Sequence, residues 1–541
     1  MDKKNTSFEK KPFEKKGDKK PFGKKPFERK PFEKKGEGKP FEKKPFEKEG
    51  EGKPFEKKPF EKKGEGKPFE KKPFEKKGDG KPFEKKPFDK KPMPKGPDAR
   101  RVALNALTDV NRMDAYASLA LDKRLREARL SGDDRRLATS IFYAAVENRL
   151  NIEYVLSAFV SVKPDQLIED ILHIACAQIL FMDKIPAHAA VDEAVKQARA
   201  MGKDEATGFV NGVLRNLLRQ KEGEGLAYPD PEEDPVKYLS VMHSVPEVIL
   251  NRLINAYGFE MAREIVSFRP ETRMETIRPN LMKRDCAQFE EYLNKRGWEW
   301  KKGVVEGAYL ISHAGNLAGD PDFYDGEFSI QGESSMLSAI AVQAKPGMTV
   351  MDVCAAPGGK SALISEMMKG TGRVHAWDVH SHRVELLKAM GKRLKLDNLR
   401  CAARDASVNK EEFNLSADAV LIDAPCSGVG VMTDKPDLKY RVTDQNIDSL
   451  CETQKKILKA CAPYVKKGGV LVYSTCSILP EENELQVEKF LFEHPEFKLD
   501  TNDNWVPAAL KARFMGGMLS LLPNRDGVEG FFIARMRRVD V

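Results

Sequence analysis

From residue 328 onward, short apolar runs alternate with amphipathic stretches, and this alternation limits the possible folds more than any other feature of the chain. It predicts strands at 349–353, 373–377, 419–423, 469–474 and 531–535. Helices are expected between them at 361–368, 381–394 and 447–465. Strand–helix repetition of this kind is the signature of a parallel α/β sheet. Such sheets bind ligands at the carboxyl ends of their strands, so the chemistry is to be sought just past each apolar run.

Five sets of residues stand at those positions. The first is the loop Cys354-Ala355-Ala356-Pro357-Gly358-Gly359-Lys360. Its paired glycines let the backbone approach a ligand closely. About twenty residues on, Asp378 ends the next strand, where a carboxylate can take the two hydroxyls of a ribose. Two glycines serve a dinucleotide pyrophosphate poorly, so an adenosine ligand without phosphates, such as S-adenosylmethionine, fits better. Asp405 follows a third apolar stretch, within reach of an adenine amino group or as an ordinary surface aspartate in a turn.

The remaining two sets carry thiols: Asp423-Ala424-Pro425-Cys426-Ser427-Gly428 and Ser474-Thr475-Cys476-Ser477. A thiolate suits reversible addition to an electron-poor carbon such as C6 of a pyrimidine. A second thiol at the end of a neighbouring strand divides the making and breaking of that bond between two residues. Asp423 is placed to hydrogen-bond the N3/N4 edge of a cytosine. A metal on Asp423, Cys426 and Cys476 is disfavoured, because neither a histidine nor a fourth ligand lies near in sequence. Cys354, Cys401, Cys451 and Cys461 read as small apolar residues.

The amino-terminal part is of a different nature. Residues 1–97 repeat Lys-Pro-Phe-Glu-Lys-Lys in a 14-residue unit marked by Phe41, Phe55, Phe69 and Phe83, with no aliphatic stripe to bury, so disorder is expected. This tract holds 34 Lys and Arg against 19 Asp and Glu, whereas the whole chain is only +9. The basic excess therefore lies entirely in the tail. Two readings remain: it tracks a phosphate backbone while its rings stack on bases, or it is a solubilising extension. Helical spacing runs from 98 to 222, a proline-rich acidic linker covers 228–235, and 236–328 mixes helical and strand-like patterns as a small α+β module. His188 reads as a capping or core histidine. There is no apolar stretch of about 20 residues and no secretory signal. Eight scattered cysteines without Cys-x-x-Cys argue for a reducing compartment, hence a cytoplasmic protein.

The glycine loop, the Asp423–Gly428 and Ser474–Ser477 motifs and Lys435-Pro436-Asp437 together resemble the Nol1/Nop2/Sun family of RNA cytosine-C5 methyltransferases. Lys184-Ile185-Pro186-Ala187-His188 and Phe209-Val210-Asn211 are similar to NusB-like domains, an arrangement of the bacterial Sun/Fmu branch. The resemblance implies a multidomain chain. Its parts are a disordered tail (1–97), an all-α NusB-like RNA-binding domain (98–226), an α+β RNA-binding subdomain (236–328) and an α/β Rossmann-like class I methyltransferase domain (329–541). It implies S-adenosylmethionine on residues 354–360 with Asp378, Asp405 and Asp423. It also makes Cys476 the nucleophile, Cys426 the thiol for product release and Lys360 an aid in orienting the base. The implied partner is ribosomal RNA of the 16S type, with no metal or membrane, and the protein is expected to act as a monomer. Two departures stand out: Gly332, in Gln331-Gly332-Glu333-Ser334-Ser335-Met336, replaces an aspartate, and Glu529 replaces another before Gly530-Phe531-Phe532; a third is the proline of Ile277-Arg278-Pro279-Asn280, within an Arg-x-Asn pattern. A non-catalytic RNA-binding scaffold is the rival reading, and DNA cytosine methylation a weaker one. Paired thiols argue against the scaffold, and a DNA enzyme would leave Cys476 superfluous.

Overall fold

Helical spacing before residue 222 resolves into helices Ala99–Met113, Ala117–Ala128, Gly132–Glu147, Arg149–Ser157, Gln166–Phe181, Ala187–Ala200 and Thr207–Glu222. The computed structural model describes residues 98–113, 115–270, 274–312 and 316–539, so the basic repeat tract lies outside the described residues. The apolar stripes of these helices meet in one core around Leu104, Phe142, Ile171, Val191 and Leu214. Caps set their starts: the Asp165 carboxylate accepts the Leu167 and Ile168 N–H groups, and the Ser131 hydroxyl accepts that of Asp134. His188 is exposed in the first turn of Ala187–Ala200, and so is not a core residue.

Residues 235–328 form two pieces with separate cores. Helices Pro235–His243, Glu247–Tyr257 and Phe259–Ser267 bury Leu239, Ile249, Leu253 and Ile265 against Val429, Met432, Ile447 and Leu479, which flank the two thiol motifs. The second piece is a four-stranded antiparallel sheet of order β2-β3-β1-β4: β1 (Glu275–Pro279), β2 (Glu299–Lys302), β3 (Tyr309–Ser312) and β4 (Phe328–Ile330). Ile277, Phe289, Tyr309 and Phe328 form its core. The strand-like part of the 236–328 pattern thus includes β1 and β3. The helices beside them belong with the following segment, because their apolar faces match its loops.

The large sheet contains β5 (Thr349–Asp352), β6 (Arg373–Asp378), β7 (Leu399–Ala403), β8 (Ala417–Asp423), β9 (Val465–Thr475), β10 (Phe497–Leu499), β11 (Phe514–Met515), β12 (Met518–Leu521) and β13 (Phe531–Arg538). Its order is β11-β12-β13-β9-β8-β5-β6-β7, with β10 on β13. Strands β7, β6, β5, β8 and β9 are parallel, as the alternation predicts. Strand β13 enters antiparallel beside β9, and β10, β11 and β12 are antiparallel too, so the sheet is mixed. The helix expected at 447–465 ends earlier, as Asp444–Cys461. Pro463 has no N–H to continue it, and Val465 already opens β9. Among the described residues no helix is long and apolar enough to cross a membrane.

Candidate active site

Strands β5 and β8 are neighbours, yet β5 leads to β6 and β7 on one side while β8 leads to β9 on the other. Their carboxyl ends flank the crevice where the strand order reverses, the usual ligand site of such sheets. Past β5 the chain turns through Ala355, Ala356 and Pro357. Gly358 has φ +116°, and a Cβ there would collide with the end of Met390. Helix Gly359–Met367 starts at once, which puts Lys360 in its first turn.

Lys360 Nζ lies 2.8 Å from Asp423 Oδ2 at the end of β8, while Asp423 Oδ1 accepts the Ser474 hydroxyl at 3.0 Å. Burial is the largest single influence and works against the ammonium, but the charge and hydrogen bond of Asp423, with Asp352 and Cys476 adding to them, together raise Lys360 above the ordinary lysine value. Beneath this pair lies Asp352, fully buried, with Oδ2 accepting the Ser361 hydroxyl at 2.6 Å and Oδ1 without a hydrogen-bond partner. Burial lifts its carboxyl to about 7, with Asp423 contributing in the same sense.

Cys476 directly follows β9, and Cys426 lies in the turn after β8. Their sulfurs are 3.1 Å apart. The Cys426 thiol is pushed well up, first by its hydrogen bond to Cys476 and then by burial. Cys476 moves down: the Cys426 hydrogen bond lowers it, burial and Asp423 oppose, and the cations Lys435 and Lys360 assist. Of the two thiols, Cys476 is therefore the more readily ionised and Cys426 the one that holds its proton more tightly. A cleft of about 1570 Å³ opens over Ala355, Lys360, Asp423, Lys435, Cys476 and Phe531, wide enough for a nucleobase and its flanking backbone.

The sequence candidates divide by place. Ala355, Ala356, Pro357, Gly359, Lys360, Asp423 and Cys476 line this cleft. Cys426 stands behind Cys476. Cys354 packs against the core that includes Ala406, Ile422 and Cys461, so its side chain faces away from the cleft. Asp378 and Asp405 also lie off the cleft, at the adjacent ends of β6 and β7. Asp378 is buried. Its Oδ1 accepts the His380 N–H at 2.9 Å, while Oδ2 meets only the Arg383 guanidinium at 3.9 Å, beyond hydrogen-bond length. Asp405 is exposed and accepts the Ser407 N–H and hydroxyl. A bare glycine turn, a carboxylate oxygen free to accept and a second carboxylate one strand on fit an adenosine ligand. All eight cysteines are free; Cys461 is fully buried, whereas Cys354, Cys401 and Cys451 are only half-buried.

Other residues matter that sequence reasoning missed. Glu482 is fully buried and accepts the Ser427 N–H at 2.8 Å. Within Lys435-Pro436-Asp437, the Asp437 carboxylate accepts the Ala117 N–H at the start of the second helix, at 3.0 Å. Lys439 Nζ and the Tyr440 hydroxyl both donate to the Glu147 carbonyl. The segment that brings Lys435 to the thiols is thus the one on which the helical region docks. Two of the departures from the family pattern touch each other: Glu529 Oε2 accepts the Ser334 N–H at 3.0 Å, and any Cβ on Gly332 would collide with its carboxylate. Arg278 is buried, and its Nη1 donates to Glu366 in helix Gly359–Met367 at 2.6 Å.

Sheet, glycine loop and adjacent thiols define an S-adenosylmethionine-dependent methyltransferase. Residues 339–537 match the model of the 16S rRNA methyltransferase RsmB/F family, and residues 97–219 that of the NusB family. A probable ribosomal RNA small subunit methyltransferase B of Bacillus subtilis is 38% identical over 449 residues, covering 82% of this chain and 99% of the relative. A relative of the same description from Synechocystis is 31% identical, covering 81% and 99%. The solved structure of PH0851 superposes with TM-score 0.71 at 26% identity, covering 82% of this chain and 99% of that one. The chain belongs to the 16S rRNA methyltransferase RsmB/F family.

Proposed function

We propose that this protein methylates C5 of a cytosine in 16S ribosomal RNA through a covalent bond between Cys476 and C6. The observation that carries the reading is the thiol pair at 3.1 Å, with Cys476, the more readily ionised of the two, lining the cleft. The target base leaves its stack and enters the cleft. Asp423, held by Lys360 and Ser474, keeps lone pairs on both oxygens and takes the N4 amino edge of the cytosine. The Cys476 thiolate adds to C6, and the electron pair released toward the ring makes C5 nucleophilic. S-adenosylmethionine, held by the Ala355–Gly359 turn with Asp378 and Asp405 as acceptors, supplies the methyl group. Water acts as the base that takes the C5 proton; the C–H electron pair re-forms the C5–C6 double bond and expels Cys476 as thiolate, which the Cys426 S–H receives as a hydrogen-bond donor.

Free thiols at this distance must stay reduced to act, which supports a cytoplasmic site of action. The protein is proposed to act as a monomer. The helical region at 98–226 and the strands of 236–328 are proposed to grip the RNA flanking the target.

Denaturing gels with labelled 16S RNA test this. Cys476→Ala should abolish methylation and show no RNA adduct. Cys426→Ala should accumulate a slow-migrating covalent band, lost again in the double variant. The reverse pattern assigns the nucleophile to Cys426, as in a DNA-type mechanism. Absence of adduct in either, with no methylation by the native protein, favours the scaffold.

A further inference from the structure

Glu482 is a buried carboxylate whose three donors are all neutral. Its Oε1 accepts the Ser427 N–H at 2.8 Å and the Gln454 amide at 3.1 Å, and its Oε2 accepts the Ser427 hydroxyl at 2.5 Å. Gln454 also donates to the Pro425 carbonyl at 2.9 Å. The two side chains therefore hold Cys426 from both flanks, Pro425 before it and Ser427 after it. The backbone of Glu482 is in turn tied to β9: its carbonyl accepts the Tyr473 hydroxyl at 2.6 Å, and neighbouring Asn483 takes the Thr475 hydroxyl at 2.5 Å. Tyr473 and Thr475 lead straight into Cys476. One buried acid thus joins the two segments whose sulfurs must meet.

We propose that Glu482 is a positioning residue which sets the distance between the thiols and keeps Cys426 as their proton-bearing member. The inference rests on the assignment of Cys476 as nucleophile given above. A carboxylate surrounded by neutral donors keeps its field, and in a low-dielectric interior that field disfavours a second negative charge one residue from Ser427. The rise of the Cys426 thiol includes such a contribution from Glu482. With the proton held there, the S–H is available at both stages: to lower Cys476 before attack, and to receive its sulfur when the C6–S bond breaks.

The test is site-resolved alkylation with iodoacetamide across pH, read by mass spectrometry on the full-length protein, with adduct lifetime on 16S RNA measured in parallel. In Glu482→Gln the amide oxygen can still accept from Ser427 N–H and Gln454, and the charge is lost; the amide nitrogen that replaces Oε2 requires the Ser427 hydroxyl to turn, accepting from it and donating to Ser477 instead. Cys426 should then alkylate at lower pH, Cys476 at higher pH, and the RNA adduct should persist longer than in the native protein. Alkylation profiles that superimpose on those of the native protein overturn the inference. If Glu482→Gln does not fold, Gln454→Met decides, since it frees the Pro425 carbonyl while leaving the carboxylate: a longer-lived adduct supports the inference and an unchanged one overturns it. Trapping by Cys426→Ala together with unmoved profiles in Glu482→Gln sinks only the role of Glu482. No trapping by Cys426→Ala sinks the underlying assignment.

Discussion

Replacing Arg278 with methionine strands a carboxylate beneath the cofactor loop. Arg278 is 1% exposed and Glu366 likewise buried. The guanidinium donates to Glu366 Oε2 at 2.6 Å, to Gln331 Oε1 at 2.7 Å and to the Pro279 carbonyl at 3.1 Å. Glu366 Oε2 also accepts the Leu281 N–H at 3.0 Å, and its Oε1 has no hydrogen-bond partner. Removing one member of a buried pair leaves an uncompensated charge, at a cost of about 3–5 kcal/mol. That is a large share of a typical net stability of about 5–15 kcal/mol. Removing both ions as Arg278→Met/Glu366→Met deletes the stranded charge and leaves the Leu281 N–H, the Pro279 carbonyl and Gln331 Oε1 unpaired, about 1–3 kcal/mol each. The double variant should therefore be more stable than the sum of the single variants implies, by about 2 kcal/mol. Urea unfolding of all four proteins in a double-mutant cycle measures the coupling. Single-variant losses that simply add, within about 0.5 kcal/mol, would refute the view that this pair clamps the four-stranded sheet to helix Gly359–Met367.

Asp352→Asn should flatten the pH dependence of stability. The folded carboxyl is raised from 3.8 to about 7, so the native state favours its protonated form. Its stabilising contribution is complete below pH 4 and is lost as pH rises through 7, on the order of 4 kcal/mol, and urea midpoints from pH 4 to 7.5 should converge on this difference between native and variant. Lys435→Met should shift the alkylation profile of Cys476 to higher pH, because one of the cations favouring its thiolate is gone; an unmoved profile removes Lys435 from the site. Asp378→Ala should weaken S-adenosylmethionine binding by about 1.5–3 kcal/mol in calorimetry, through loss of a charged acceptor. Unchanged affinity would take Asp378 out of the cofactor site.

Local pattern sufficed wherever a feature depends on neighbours in sequence. Apolar runs placed β5, β6, β8, β9 and β13 within a few residues. Glycines and acids just past those runs marked the rim, because strand ends and turn geometry are local properties. The residues 354–360, Asp423, Cys426 and Cys476 were therefore legible before any coordinates. Partners brought from far along the chain were not. Cys426 and Cys476 lie 50 residues apart and meet only because β8 and β9 are adjacent and parallel. Sequence alone leaves β13 free to sit anywhere; its antiparallel place beside β9 brings Phe531 into the cleft and Glu529 over Gly332. Two substitutions that read as separate departures are thus one contact. Glu482 carries no signal in the sequence, yet it is fully buried between both thiol segments. Helices from residue 235 to 267 read as part of the module they precede, but their apolar faces find the loops of the thiol motifs. Periodicity tells which side of an element is apolar. Which surface covers that side is decided by the order of strands in the sheet, and no local signal encodes that order.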